Sequence, residues 1–214
     1  MTLFTKTLYS GTSPHNGEIR VFESFGERRL VAAGYTQSRT LNKHGMTGSY
    51  WDGFVRNIPD LGKDARVLIL GLGGGTIAKL LTKKFGLISI DGVEIDPLMV
   101  ELGREFLDFK EKNVNVINQD AQDFLKETRY KYDFVAVDLF AHGDVAKVAE
   151  SEQFFKKVKQ VLSKDAVVVI NKIFKDKENL NKYVDFIGGI FYKSDILLVR
   201  GGFSTDNVIV YAYV

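Results

Sequence analysis

Three carboxylates stand at or near the ends of strand-like runs: Glu94 closes the run Ile88 to Val93, Asp120 follows Val114 to Ile117, and Asp138 closes Phe134 to Val137. A glycine-rich turn, Gly71-Leu72-Gly73-Gly74-Gly75-Thr76, precedes all three, and Glu94 lies 94 − 71 = 23 residues after its first glycine. Glycine has no Cβ, so Gly71, Gly73 and Gly75 let the backbone turn sharply and approach a ligand closely. A carboxylate about 20 residues beyond such a turn is placed to accept both hydroxyls of a ribose. A glycine turn alone also serves simply to join a strand to a helix; Glu94 tips the reading toward a nucleoside site. The dinucleotide pattern G-x-G-x-x-G would need glycine at position 76, where this chain has Thr76. The packed form G-L-G-G-G-T suits a smaller adenosyl ligand without a pyrophosphate.

Asp138 invites a chemical role, because a carboxylate at the end of a buried strand is costly unless it is paired or used. An amine nucleophile is protonated near neutral pH, and a carboxylate within hydrogen-bond reach can remove that proton. Asp120 has two open readings: acceptor for an adenine amino group, or N-cap of a helix that starts at Ala121. The stretch after Asp138, from Leu139 to Val145, reads as a loop over the site, either a lid or a plain surface loop.

The elements that must position these groups follow from patterning. Val67 to Leu70 is apolar throughout, as in a parallel strand buried on both faces. Thr76 to Phe85 carries apolar residues at helical spacing, and its free N–H groups point back at the turn. Residues 3 to 41 alternate like antiparallel strands, with a hairpin at Phe25-Gly26-Glu27. Tyr50, Trp51, Phe54, Val55 and Ile58 suggest a helix over 44 to 58, closed by Pro59. Pro97 opens a helix to about Phe109, Val114 to Ile117 is a strand, Ala121 to Thr128 a short helix, and Tyr132 to Asp138 a strand. Helix 154–162, strand 166–171 and helix 180–187 continue the alternation, and strands 196–200 and 207–214 close the sheet as a hairpin around Gly201-Gly202. The expected fold is α/β: a Rossmann-like, mostly parallel doubly wound sheet (residues 44–214), preceded by a small N-terminal β region (residues 1–43).

With 214 residues and a net charge of +2, the chain has no marked affinity for nucleic acid, and it has no cysteine. Thiolate metal sites are therefore excluded, and His15, His44 and His142 show no ligand spacing, so no metal is expected. Lys156, Lys157, Lys159 and Lys164 read as one solvated helix face. No stretch approaches the roughly 20 apolar residues of a membrane helix, and Met1-Thr2-Leu3 does not begin a secretory signal. The expectation is a soluble, cytoplasmic protein. Edges and aromatic residues of the N-terminal β region suggest a homodimer.

The segments V-L-I-L-G-L-G-G-G-T, G-V-E-I-D-P, Q-D-A-Q-D-F-L and Y-D-F-V-A-V-D, with the earlier G-E-I-R-V-F-E and G-Y-T-Q-S, resemble in order and spacing the spermidine synthase family of polyamine aminopropyltransferases. That family lies within the AdoMet-methyltransferase fold, and the likeness covers about residues 8 to 175. It implies polyamine biosynthesis, with decarboxylated AdoMet (or AdoMet) as donor and a small amine as acceptor. By resemblance Gln37 touches the donor's aliphatic portion, Glu94 and its neighbour Ile95 the ribose side, Asp120 and Ala121 the adenine edge. Asp138 takes the attacking amine, with Tyr50 and Leu139 lining the acceptor side. This chain has Gly74 where the family carries an aspartate in the turn, and Ala141 where it carries the second aspartate of D-x-x-D-P. Both departures imply a weakened or rebuilt grip on a long polycation. An AdoMet-dependent methyltransferase and a non-catalytic nucleoside-binding protein are the alternatives.

Overall fold

The computed structural model describes residues 5–141, 144–145, 147–174, 176–199 and 206–214. Among them, β1 (Thr5–Ser13), β2 (Gly17–Ser24), β3 (Glu27–Ala32) and β4 (Tyr35–Arg39) form an antiparallel meander. Its two tight hairpins are each built on a pair of positive-φ residues, Phe25-Gly26 and Ala33-Gly34. Two such residues in succession match the right-handed strand twist, which is why a two-residue connection suffices. Ile19, Val21, Leu30 and Ala32 alternate onto one face and pack against Met99, Leu102 and Leu107.

The second sheet contains β5 (Arg66–Leu70), β6 (Ser89–Glu94), β7 (Val114–Asn118), β8 (Tyr132–Val137), β11 (Leu162–Phe174), β12 (Lys193–Val199) and β13 (Asp206–Tyr213). Their order is β12-β13-β11-β8-β5-β6-β7, and β13 alone among these described strands runs against the direction shared by the others. The strands flanking Gly201-Gly202 do pair antiparallel, although those two glycines and Arg200 lie outside the described residues. Two-residue strands β9 (Phe140–Ala141) and β10 (Asp144–Val145) pair in the stretch expected as a lid or a surface loop; His142 and Gly143 within it, and Ala146 after it, lie outside the described residues.

Helices cover both faces: α1 (Thr76–Phe85) and α2 (Pro97–Phe106), then α3 (Ala121–Glu127), α4 (Glu152–Gln160) and α5 (Lys177–Gly188). Leu68 and Leu70 point to the cluster built with α3, α4 and α5, whereas Val67 and Ile69 point to the cluster built with α1 and the Trp51–Ile58 segment. Burial on both faces explains the unbroken apolar run of β5. Between β5 and β8 the strand order reverses, and the carboxyl ends of these two strands open the crevice where an open α/β sheet binds ligands.

Several expected elements differ in the structure. The segment 44–58 is no helix but a short 3-10 turn, Tyr50–Phe54. Gly45 and Gly48 take positive φ, and the Asp52 carboxylate accepts hydrogen bonds from Thr47 N, Thr47 Oγ1 and Gly48 N, which folds the chain back before a helix can form. Its apolar residues Trp51, Phe54, Val55 and Ile58 are buried all the same. Helix α2 stops at Phe106 because Asp108 takes φ 58°, and the N–H groups of Leu107 and Phe109 both return to Gly103 O. Lys164 falls in β11, not on the face of α4.

Candidate active site

Everything in the glycine turn is determined by contacts inside the protein. Gly71 and Leu72 donate their N–H groups to Val93 O, Gly75 to Leu72 O, Gly73 to Glu94 Oε2 at 2.7 Å, and Gly74 to Ser38 Oγ at 2.8 Å. With these donors taken, the N–H groups of residues 71 to 75 are not free to cradle a phosphate. Gly71 adopts φ 89°, and a Cβ there would lie 2.2 Å from Asp138 O, so only glycine lets β5 and β8 end side by side. Asp138 N closes that contact on Leu70 O.

Gly74 has a packing reason of its own. A Cβ at this position would stand 2.9 Å from both Ser38 Cβ and Leu107 Cδ1, and Gly103 of α2 presses on the Gly74 backbone. The space a side chain would need is filled by the docked N-terminal sheet. Gly75 likewise faces the Phe109 ring and does not line the cavity.

The cavity at the carboxyl ends of β5, β6 and β8 brings together Gln37, Gly71, Gly73, Glu94, Ile95, Asp120, Ala121, Asp138 and Leu139. Glu94 is 8% exposed; its Oε1 accepts from Asp96 N at 3.0 Å and its Oε2 from Gly73 N. Burial pushes its carboxyl above the usual range, opposed by the backbone N–H groups of Asp96, Gly73 and Ile95. Three N–H groups do not exhaust the roughly four lone-pair sites of a carboxylate, so it can still accept from a hydroxyl. Next to it Ile95 is 41% exposed, an apolar surface at the rim of the cavity. Asp120 caps α3, with Oδ1 accepting from Gln122 N and Asp123 N, and still borders the cavity.

Asp138 sits in a nest of side-chain donors. Its Oδ1 accepts from Asn171 Nδ2 at 2.8 Å; its Oδ2 accepts from Trp51 Nε1 at 3.1 Å and, at the outer limit, from Tyr50 OH at 3.5 Å. Burial raises its pKa to about 6, and the three donors limit the rise. Tyr50 is not part of the cavity wall; it stands behind Trp51, ring centroids 4.2 Å apart, and burial with the nearby carboxylate keeps its phenol protonated.

Sequence reasoning passed over Asn16, Ser38, Trp51, Met99, Gln119 and Asn171. Of these, Asn171 reaches the site through its bond to Asp138, and the others line the cavity. Asn16 arrives because Asp96 Oδ2 accepts from both Ser13 Oγ and Asn16 Nδ2, which ties the β1–β2 turn over the cavity. A signal existed for Trp51, the single tryptophan of the chain, beside Tyr50. Among the described residues the wall carries three carboxylates and no lysine, arginine or histidine side chain. Nor, among them, is there a group of three or more His, Asp or Glu side chains placed to hold a metal ion.

A profile of the spermine/spermidine synthase domain matches residues 57–194. The chain is similar to a probable polyamine aminopropyl transferase of Bifidobacterium longum, 30% identical over 171 residues, which are 78% of this chain and 37% of that one. It also resembles a polyamine aminopropyltransferase of Vibrio vulnificus, 32% identical over 113 residues, or 51% and 38% of the two chains. It thus spans less than half the length of these curated relatives. The spermidine synthase from Thermotoga maritima shares the fold, with TM-score 0.76 at 19% identity over 97% of this chain and 72% of that chain. The chain belongs to the spermine/spermidine synthase family.

Proposed function

We propose that this protein transfers an aminopropyl group from decarboxylated AdoMet to a small amine, with Asp138 as the general base. The observation that carries the reading is the charge of the cavity wall: three carboxylates, Glu94, Asp120 and Asp138, and no cationic side chain among the described residues. A sulfonium donor with a free amine, and an amine acceptor, are both cations that such a wall attracts. AdoMet itself carries an additional carboxylate, for which this wall offers no countercharge.

In this reading Glu94 accepts the ribose hydroxyls, Ile95 packs on the sugar side, Asp120 and Ala121 meet the adenine edge, and Gln37 lies along the aliphatic portion. Gly71 and Gly73 give the backbone room for the nucleoside, and Leu139 borders the acceptor, with Tyr50 acting from behind Trp51 through its contact with Asp138. Above about pH 6 Asp138 is ionised and accepts a proton from the ammonium of the acceptor. The freed amine then forms a C–N bond at the carbon attached to the sulfonium, the C–S bond breaks, and a neutral thioether leaves. Positioning of amine, carbon and sulfur in line supplies the rest.

Calorimetry with decarboxylated AdoMet, AdoMet and methylthioadenosine tests this. Tighter binding of the decarboxylated donor than of AdoMet is expected, and the reverse preference would favour methyl transfer instead. We further propose a homodimer built partly on the N-terminal sheet, where Tyr35 and Phe25 are exposed; light scattering that gives a single-chain mass at micromolar concentration would remove it.

A further inference from the structure

We infer that Asn171 and Asn207 are positioning residues: Asn207 fixes the amide of Asn171, and Asn171 in turn orients Asp138 and favours its ionised form. The inference rests on the reading of Asp138 as the base. Asn171 lies on β11, one residue past the Ile170–Val137 pairing that joins β11 to β8, and it is 2% exposed. A carboxylate can only accept hydrogen bonds, so Asn171 must face Asp138 with its NH2 group, as it does at 2.8 Å. Its own Oδ1 is thereby turned away into the sheet, where it needs a donor. Asn207 Nδ2 supplies that donor at 2.9 Å.

The two asparagines meet across the β11–β13 ladder, in which Asn171 is opposite Ile209 and Asn207 opposite Ile173. They are diagonal neighbours on one face, close enough for side chains of this length. The antiparallel strand β13, inserted between β11 and β12, is what brings Asn207 within reach.

Among the described residues, the titratable groups that bear on Asp138 are Tyr50 from the 3-10 turn and Glu94 from the end of β6. Glu94 opposes ionisation, whereas Tyr50, Trp51 and Asn171 favour it by donating hydrogen bonds. The donor set is therefore one-sided at Oδ1: among the described residues Asn171 alone serves that oxygen.

The test is carbon-13 NMR of aspartate carboxyl groups across pH, with the Asp138 signal assigned by its loss in Asp138→Asn, together with rate against pH. Asn171→Leu is expected to move the Asp138 titration, and the acid limb of the rate, up by about one pH unit or more. Asn207→Asp lacks the donor, so the Asn171 amide turns around and presents Oδ1 to Asp138; the same upward shift is expected from a residue that never touches Asp138. Because this substitution acts through the amide and not through the new charge, adding Asn207→Asp to Asn171→Leu should shift the titration no further. Asn207→Ser keeps a donor and should stay near the parent. If Asn171→Leu does not fold, Asn207→Asp, at a partly buried position, decides alone. An Asp138 titration unmoved in Asn207→Asp overturns the proposal. A shifted titration with an unshifted rate profile leaves the asparagine network standing and removes Asp138 as the base.

Discussion

Glu94 and Asp138 stand on opposite sides of the point where the strand order reverses, and they are held by different means. Glu94 is fixed by backbone, through the N–H groups of Gly73 and Asp96, within one unit of contiguous sequence. Asp138 is fixed by side chains, Trp51 and Asn171, which are 87 and 33 residues away in the chain. The nucleoside half of the cavity is thus a local construction and the amine half an assembled one. A local construction couples ligand binding to the integrity of the turn; an assembled one can be altered in its chemistry with little effect on donor binding.

Glu94→Ala would break the comparison most severely. Loss of both ribose acceptors should weaken adenosyl-ligand binding by about 3 kcal/mol or more. The turn should also loosen, since the Gly73 and Asp96 N–H groups lose their partner, each a penalty of about 1–3 kcal/mol if left unpaired. Calorimetry and thermal denaturation together check this; unchanged methylthioadenosine affinity would place the nucleoside elsewhere.

Asp138→Asn sharpens the other side through stability. Burial raises the Asp138 pKa from 3.8 to about 6, so between those values the native state holds a proton that the unfolded chain has released. Stability conferred by this group therefore falls as pH rises through that window, and above it the parent is penalised by at most roughly 3 kcal/mol. The gap in unfolding free energy between Asp138→Asn and parent should widen from pH 4 to 7, as followed by denaturant titration. A constant gap would mean that the carboxylate is not strained by its site.

Gly74→Asp is the smallest of these changes and separates packing from chemistry. Its Cβ collides with Ser38 and Leu107, so about 1–3 kcal/mol of stability should be lost, with no gain in affinity for long polyamines. Tighter polyamine binding by this variant would show that the position faces the substrate after all.

The same division marks what could be read from the sequence. The unit from Arg66 to Asp96 was legible because strand, turn, helix and carboxylate follow one another, each with its own local signature. The short 3-10 turn at Tyr50–Phe54 was not, because helical spacing of apolar residues is also satisfied by a compact turn pinned by Asp52. Asn16, Ser38 and Asn171 were hidden for a further reason: what places them is the docking of distant segments, the β1–β2 turn on Asp96, β4 on the glycine turn, and β11 beside β8. Even the Gly74 departure, legible as a missing carboxylate, acquires its physical cause only when Ser38 is seen against it.

Rate against pH for amine transfer from decarboxylated AdoMet, in parent and Asp138→Asn, tests the central claim most directly. The parent should lose activity below about pH 6, the pKa of Asp138. Asp138→Asn should bind the donor normally, turn over roughly 10²–10⁴-fold more slowly at neutral pH, and recover in part as rising pH frees the amine without help. Full activity of Asp138→Asn near neutral pH would contradict the account.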